Sequence, residues 1–384
     1  MRDLAQKHGP LMMLRLGEVP TLVVSSPEAA QAITKTYDIT FADRHLNATI
    51  GVLTFNGTDL VFGTYGERWR QLRKITVLEL LSVARVQSFQ RIREEEVARF
   101  MQSLAASAGA GATVNLSKMI SRFINDTFVR ESIGSRCKYQ DDYLDAFDTA
   151  VRQTSVLTVA DLFPSSRLMQ ILGTAPRNAL KCRNRITRIL EQIIHEQVEA
   201  MDRGEKTAHE GLIGVLLRLQ KEASLPDLFG AGSDTSSTTL NWCMTELMRY
   251  PATMAKAQAE VMGYDIPKGT SVFINVWAIC RDAKYWEDAE EFRPERFENT
   301  NLDYKGTNYE FLPFGSGRRM CPGANLGLAN IELALASLLY HYNWKLPDGV
   351  KPEDVQVWEG PGLIAKKKTG LILHPVTCIA PADA

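Results

Sequence analysis

Pro313-Phe314-Gly315-Ser316-Gly317-Arg318-Arg319-Met320-Cys321-Pro322-Gly323 is the stretch that decides the fold. It reads F-x-x-G-x-R-x-C-x-G: one cysteine closes a glycine-rich, arginine-bearing loop and precedes a long apolar segment, Ala324 to Tyr340. Cys321-Pro322 reads as the start of a helix, because proline is tolerated in a first turn, where its missing N–H costs nothing. A thiol at such a position faces unpaired backbone N–H groups and the positive end of the helix dipole, and both favour the thiolate. An isolated cysteine on a glycine-rich turn reads as a structural thiol; here the spacing around it is the stronger signal.

Two further segments carry chemistry. Ala231-Gly232-Ser233-Asp234-Thr235-Ser236 places an acid next to an alcohol. Such a pair can relay protons through water, and Gly232 leaves room beside it. The same residues read equally as a Ser/Thr-rich helix start. Trp69-Arg70-Gln71-Leu72-Arg73 has the form W-x-x-x-R, and an i, i+4 pair shares one helix face. Alone, that is an ordinary amphipathic helix.

Together, and in this order, the segments resemble the cytochrome P450 family of haem-thiolate monooxygenases. Phe314, Gly317, Arg319, Cys321 and Gly323 match the five fixed positions of its haem loop. The resemblance implies a mainly α fold with small β-sheets, haem b as cofactor and Cys321 as the iron ligand. Arg319, Trp69 and Arg73 would hold the haem propionates. Phe314 would cover the sulfur, and Gly317 and Gly323 would let the backbone pass close to the porphyrin. Ala231 and Gly232 would line the oxygen-binding stretch, and Asp234 and Thr235 would deliver protons there. Asn47 to Gly63 would form one wall of the substrate pocket. The implied activity inserts one oxygen atom from O2 into a small apolar plant secondary metabolite. Electrons would come from an NADPH-cytochrome reductase. Details of both main motifs resemble the plant microsomal group, which implies the cytosolic face of the endoplasmic reticulum membrane.

Phe292-Arg293-Pro294-Glu295-Arg296-Phe297 extends the resemblance, which runs from about Leu4 to Pro375 and makes residues 1–384 one domain of this type. Two junctions depart from it. At 226–227 the family enters its oxygen-binding helix earlier. At 260–263 the chain runs straight into Tyr264-Asp265-Ile266-Pro267, where the family carries a helix with an E-x-x-R pair. Glu67/Arg70, Glu96/Arg99, Glu246/Arg249 and Glu290/Arg293 have that spacing but not that place. In the family Arg296 completes a buried network with the missing pair, so here it is expected to turn to water or another acid. Removing one side of a buried pair costs about 3–5 kcal/mol. The alternative reading follows: a catalytically defective or truncated member that does not assemble a working haem site.

Composition bounds the rest. The 384 residues are 45% hydrophobic and 23% charged, which is ordinary globular usage. A formal net charge of -1 gives no bulk electrostatic case for nucleic acid. Six cysteines lie scattered with no C-x-x-C, which points to a reducing compartment and to neither a disulfide framework nor a zinc site. No apolar run of about eighteen residues is present, and no signal peptide precedes the first helical pattern. The family's N-terminal membrane anchor is thus expected to be missing.

The periodicity predicts short strands at Leu11 to Leu16, Thr21 to Ser25 and Ser271 to Trp277, an irregular Asn47 to Gly63 and a turn at Tyr264 to Lys268. It predicts helices over Ser26 to Tyr37, Tyr65 to Leu81, Val83 to Ala108, Asn115 to Ile133, Tyr143 to Val156, Asn178 to Asp202, His209 to Glu222, Leu228 to Tyr250 and Ala324 to Tyr340. A terminal hairpin is predicted within Leu363 to His374.

Overall fold

In the computed structural model, the residues described are 1–109, 112–154, 158–166, 175–204, 210–222, 260–262, 264–267, 269–355, 358 and 368–380. The architecture is mainly helical with three small sheets among these residues. Two compact units divide it. One draws on Met1–Arg73, Leu157–Pro176 and Phe229–Cys321; the other draws on Lys74–Val156, Arg177–Leu228 and Pro322–Ala384.

The first unit is built on a three-stranded sheet. Leu11–Leu16 and Val19–Val24 form an antiparallel hairpin, and Ser271–Ile274 joins Val19–Val24 in parallel. Leu22 and Val24 enter a core that also contains Ala29, Ile33, Ile279, Tyr309 and Leu312. Helix Pro27–Gln31 starts where the sequence places it: Ser26 Oγ accepts the Ala29 N–H, and Pro27 fills the first helical position. The predicted continuation to Tyr37 is wound as a π-helix over Ala32–Thr36, a form frequent at functional sites.

The second unit has its core between helices Gln90–Gly109, Leu116–Ile133 and Ala324–His341. Phe100, Leu104, Phe123, Leu338 and Tyr342 meet there, and Phe100 stacks on Phe123 with centroids 5.0 Å apart. A buried polar cluster runs through the same unit. Glu131, fully buried, accepts hydrogen bonds from Arg93 at 3.4 Å and Asn330 at 3.2 Å, and burial raises its pKa.

Several predicted elements shift. The helix predicted from Tyr65 to Leu81 divides into Glu67–Ile75 and a π-helical turn, Thr76–Leu80. The one predicted from Val83 breaks at Phe89, between Val83–Ser88 and Gln90–Gly109. Helix Ala324–His341 begins after its N-cap, Gly323, so Pro322 lies just outside the first turn rather than in it. Asn47 to Gly63 is not wholly irregular: Asn47 Oδ1 accepts the Ile50 N–H and starts helix Ala48–Leu53. Tyr264 and Asp265 form a strand paired with Glu260–Val261, with Met262 at φ 51° after that partner strand. The predicted strand from Ser271 stops at Ile274, because Asn275 caps a short helix, Val276–Ile279. The C-terminal strand Ile372–Thr377 pairs with Tyr342–Lys345 and Val114–Asn115. Leu371 and Leu373 pack on the second unit's core. The predicted helix Leu228 to Tyr250 and the first half of the predicted terminal hairpin lie outside the described residues.

Among the described residues, the partners of Arg296 are backbone carbonyls rather than an acid. Its guanidinium donates to four backbone carbonyls: Arg293 at 3.1 Å, and Glu287, Asp288 and Glu291 each at 2.9 Å. It also lies over the Trp286 ring, 5.8 Å from the centroid.

Candidate functional site

The cysteine loop is folded by its own backbone and by the π-helical turn against it. Phe314 O accepts the Cys321 N–H at 2.9 Å, which closes the loop. Ser316, buried, donates its hydroxyl to Gly306 O at 2.6 Å. Gly317 sits at φ +65°, and a Cβ there would lie 2.2 Å from Thr34 O. Only glycine combines that conformation with that approach. Arg318 pairs with Asp38 at 2.9 Å, and the Arg318 N–H also reaches Asp38 Oδ1. Cys321 is a free, exposed thiol at the end of this loop. The tie between Phe314 and Cys321 is thus a backbone one, while the Phe314 ring packs edge-on to Tyr304 at 5.8 Å.

Helix Glu67–Ile75 brings its i, i+4 pair to the same place. Trp69 is buried, and its Nε1 donates to Leu60 O at 2.9 Å. Arg73 donates to Met320 O at 2.5 Å, one residue before the cysteine. Burial lowers the Arg73 pKa, while the nearby Cys321 works in the opposite direction. Arg319 lies over Trp69, 4.2 Å from the ring centroid. It donates through Nε to Ala42 O at 2.6 Å and through Nη2 to Gly63 O at 2.5 Å. Its third nitrogen, Nη1, is buried with no hydrogen-bond partner among the described residues.

Trp69, Arg73, Phe314, Gly317, Arg319 and Cys321 therefore converge within the first unit. Gly323 serves as a helix cap. Ala231, Gly232, Asp234 and Thr235 lie outside the described residues. The segment 38–63 carries no motif, yet it supplies Asp38 and the carbonyls of Ala42, Leu60 and Gly63 that orient the motif side chains. No sequence pattern could announce those carbonyls: Ala42 and Arg319 are 277 residues apart. A second guanidinium, on Arg44, is close enough to Arg319 to help lower its pKa, behind burial as the main cause. Of the acids in the E-x-x-R matches, Glu96 is held by its own partner Arg99 together with Arg130 and Arg136, and Glu290 by Arg2.

These residues fit an iron porphyrin. A free thiol stands on a closed glycine loop, and beside it is a cationic cluster with a buried donor awaiting an anion. A buried polar atom without a partner calls for an explanation, and a bound carboxylate provides one.

The cytochrome P450 family profile matches residues 1–262 and 258–374. Zealexin A1 synthase of Zea mays is 66% identical over all of this chain and 89% of that protein. Dolabradiene monooxygenase of Zea mays is 64% identical, over all of this chain and 88% of that protein. Amorpha-4,11-diene 12-monooxygenase of Artemisia annua is 41% identical over 98% of this chain and 87% of that protein. A solved zebrafish cytochrome P450 with progesterone superposes with a TM-score of 0.69 at 21% identity, covering 97% of this chain and 98% of that one, which shows the shared fold. The chain belongs to the cytochrome P450 family, and its relatives place it among the plant monooxygenases of that family. The cofactor of the family is haem.

Proposed function

We propose that this chain is a haem-thiolate monooxygenase acting on a small, apolar, olefinic hydrocarbon of plant secondary metabolism. The observation that carries the reading is the pairing of the exposed Cys321 thiol with the buried, unpartnered Arg319 Nη1 in one cluster. Cys321 would hold the iron, and Arg319 and Arg73 the propionates; Trp69, whose N–H goes to Leu60 O, would support Arg319 from below. When bound, haem b supplies the centre at which O2 takes two electrons, one oxygen atom going into a substrate C–H bond and the other to water. Asp234 would hold the proton that Thr235 passes toward that centre through water, beside the small Ala231 and Gly232. The carbonyls of Ala42 and Gly63 keep Arg319 on Trp69, so its remaining nitrogen is already oriented. Such preorganisation lowers the cost of ordering on binding.

The substrate class rests on the names of two relatives, which specify the dienes dolabradiene and amorpha-4,11-diene. Electrons come from an NADPH-cytochrome reductase, by the same family reading. The family's place on the cytosolic face of the endoplasmic reticulum membrane is proposed for this chain too. No helix among the described residues is long and apolar enough to cross a membrane.

We also propose that residues 1–384 form one domain of the family with internal deletions near 226–227 and 260–263. The alignment with zealexin A1 synthase runs over 448 positions against the 384 residues here, so at least 64 positions have no counterpart in this chain. The family match also breaks into two parts around 258–262. This motivates the second reading, a member that cannot assemble its haem site. Satisfied carbonyl partners for Arg296 favour the first.

The test is the absorption spectrum of the purified chain, supplied with haem, after reduction under carbon monoxide. The far-red Soret band of thiolate ligation is expected, and Cys321→Ala should abolish it. If the unsubstituted chain takes up no haem, the second reading holds. If Cys321→Ala keeps the band, the ligand assignment is wrong.

A further inference from the structure

We infer that Asp38 is a further positioning residue for the candidate ligand: through Arg318 it fixes the turn that sets where the Cys321 sulfur stands. The inference rests on the haem reading above. Gly315 and Gly317 both take left-handed φ, +74° and +65°, and glycine loses more freedom on ordering than any other residue. The loop's own bonds, from the Cys321 N–H to Phe314 O and from the Met320 N–H to Gly317 O, tie it only to itself. Contacts from outside decide where it stands. Several of these run to backbone carbonyls: Ser316 donates to Gly306 O, and Arg319 to Ala42 O and Gly63 O. Among the described residues, Asp38 alone brings a carboxylate to residues 314–321.

Both oxygens of that carboxylate go to one residue. Oδ2 lies 2.9 Å from Arg318 Nε, and Oδ1 accepts the Arg318 backbone N–H at 3.3 Å, so one group holds side chain and main chain together. Oδ1 also lies 3.2 Å from where a Cβ on Gly317 would stand, and Thr34 O only 2.2 Å from it. Thr34 and Asp38 thus form one wall, and the short 3-10 turn Gly317–Arg319 rests against it. The wall is firmly set. The Tyr37 N–H closes the π-helical turn on Ala32 O at 2.8 Å, Ile33 is buried, and Tyr37 and Phe41 pack on the first unit's core. Arg318 in turn lies over the Tyr65 ring, 5.3 Å from its centroid. With the Arg318 side chain 40% exposed, the ion pair adds little to overall stability. Its effect is geometric, because a ligand kept within about half an ångström of its place needs neighbours locked by packing and hydrogen bonds. A turn released from Asp38 lets the Cys321 sulfur shift, and a shifted sulfur leaves iron or binds it as a neutral thiol.

The test compares the unsubstituted full chain with Asp38→Ala, Asp38→Asn and Arg318→Ala, each loaded with haem. In the reduced carbon monoxide complex, the rate at which the far-red Soret band gives way to the shorter-wavelength thiol band is followed in urea. Phe123→Leu, a truncation in the second unit's core, is the control for general loss of stability. Each chain is measured at the same distance below its own unfolding midpoint. Asp38→Ala should convert about tenfold faster, in line with one charge-assisted hydrogen bond. Asp38→Asn keeps an acceptor for the Arg318 N–H, and Arg318→Ala keeps the backbone bond alone, so both should fall between. The control should match the unsubstituted chain. In the haem-free chains, Asp38→Ala should speed amide exchange over residues 317–321, and the control should not. An unchanged conversion rate in Asp38→Ala overturns the inference, as does equal acceleration in the control, which marks a purely structural role. If the unsubstituted chain takes up no haem, the haem reading itself fails, and the inference with it, whatever the amide exchange shows.

Discussion

Gly315 and Gly317 stand two residues apart in the cysteine loop, at φ +74° and +65°, and alanine at each should have different consequences. The left-handed conformation costs an L-residue about 1–2 kcal/mol. Losing glycine's freedom in the unfolded chain returns about 0.4–1 kcal/mol. At Gly315 the nearest atom to an added Cβ is Met320 Cα at 3.9 Å, so only this balance applies. Gly315→Ala should therefore destabilise by about 0–1.6 kcal/mol. At Gly317 the added Cβ would lie 2.2 Å from Thr34 O and 3.2 Å from Asp38 Oδ1. The first is a backbone atom in the π-helical turn and cannot swing aside, so the loop must retreat. That retreat strains the Arg318–Asp38 pair and both Arg319 carbonyl bonds. At roughly 1 kcal/mol for each hydrogen bond lost, Gly317→Ala should cost about 3 kcal/mol more than Gly315→Ala. Urea unfolding followed by tryptophan fluorescence reads the difference as a clear drop in midpoint, and haem retention should fall in parallel. Equal midpoints for the two variants would refute the claim that close approach to Thr34, rather than backbone handedness, demands glycine here.

Two further outcomes are expected. Arg296→Ala leaves four carbonyls without their donor and frees the bend at Asp288, which sits at φ 47°; a loss of about 2–3 kcal/mol is expected after allowing for solvent access, visible as faster amide exchange over residues 287–297. Glu28 has its pKa lowered from 4.5 to about 2, chiefly by the Tyr285 hydroxyl, with Lys284 adding to it. Between those values the unfolded chain binds more protons, so this contribution is complete above 4.5 and is lost as pH falls toward about 2. Tyr285→Phe should flatten that acid limb in a pH series of urea midpoints; an unchanged limb would show that Tyr285 does not hold the carboxylate. The effect is modest, because the Glu28 side chain is half-exposed.

Sequence and structure part company at Arg296. By sequence, the missing E-x-x-R helix leaves this cation in need of water or an acid. In the structure it satisfies a turn of backbone carbonyls and rests on Trp286. A guanidinium has five donors in a planar fork and bonds to carbonyls as well as to carboxylates. Which acceptors it meets depends on where the chain turns, and no spacing rule contains that.

Residue types and their spacing alone determined the family, the candidate ligand cysteine, the Trp69/Arg73 face and the cap at Ser26. Each is a local matter: a loop of fixed length, an i, i+4 pair, a hydroxyl three residues before an amide. Only the tertiary structure decided that Ala42, Leu60 and Gly63 orient the site and that Gly317 faces Thr34. The same holds for the pairing of the C-terminal strand with Tyr342–Lys345. Those contacts are made by backbone atoms common to every residue, or by side chains whose partners lie far away in the chain. Chain folding, not composition or period, brings them together.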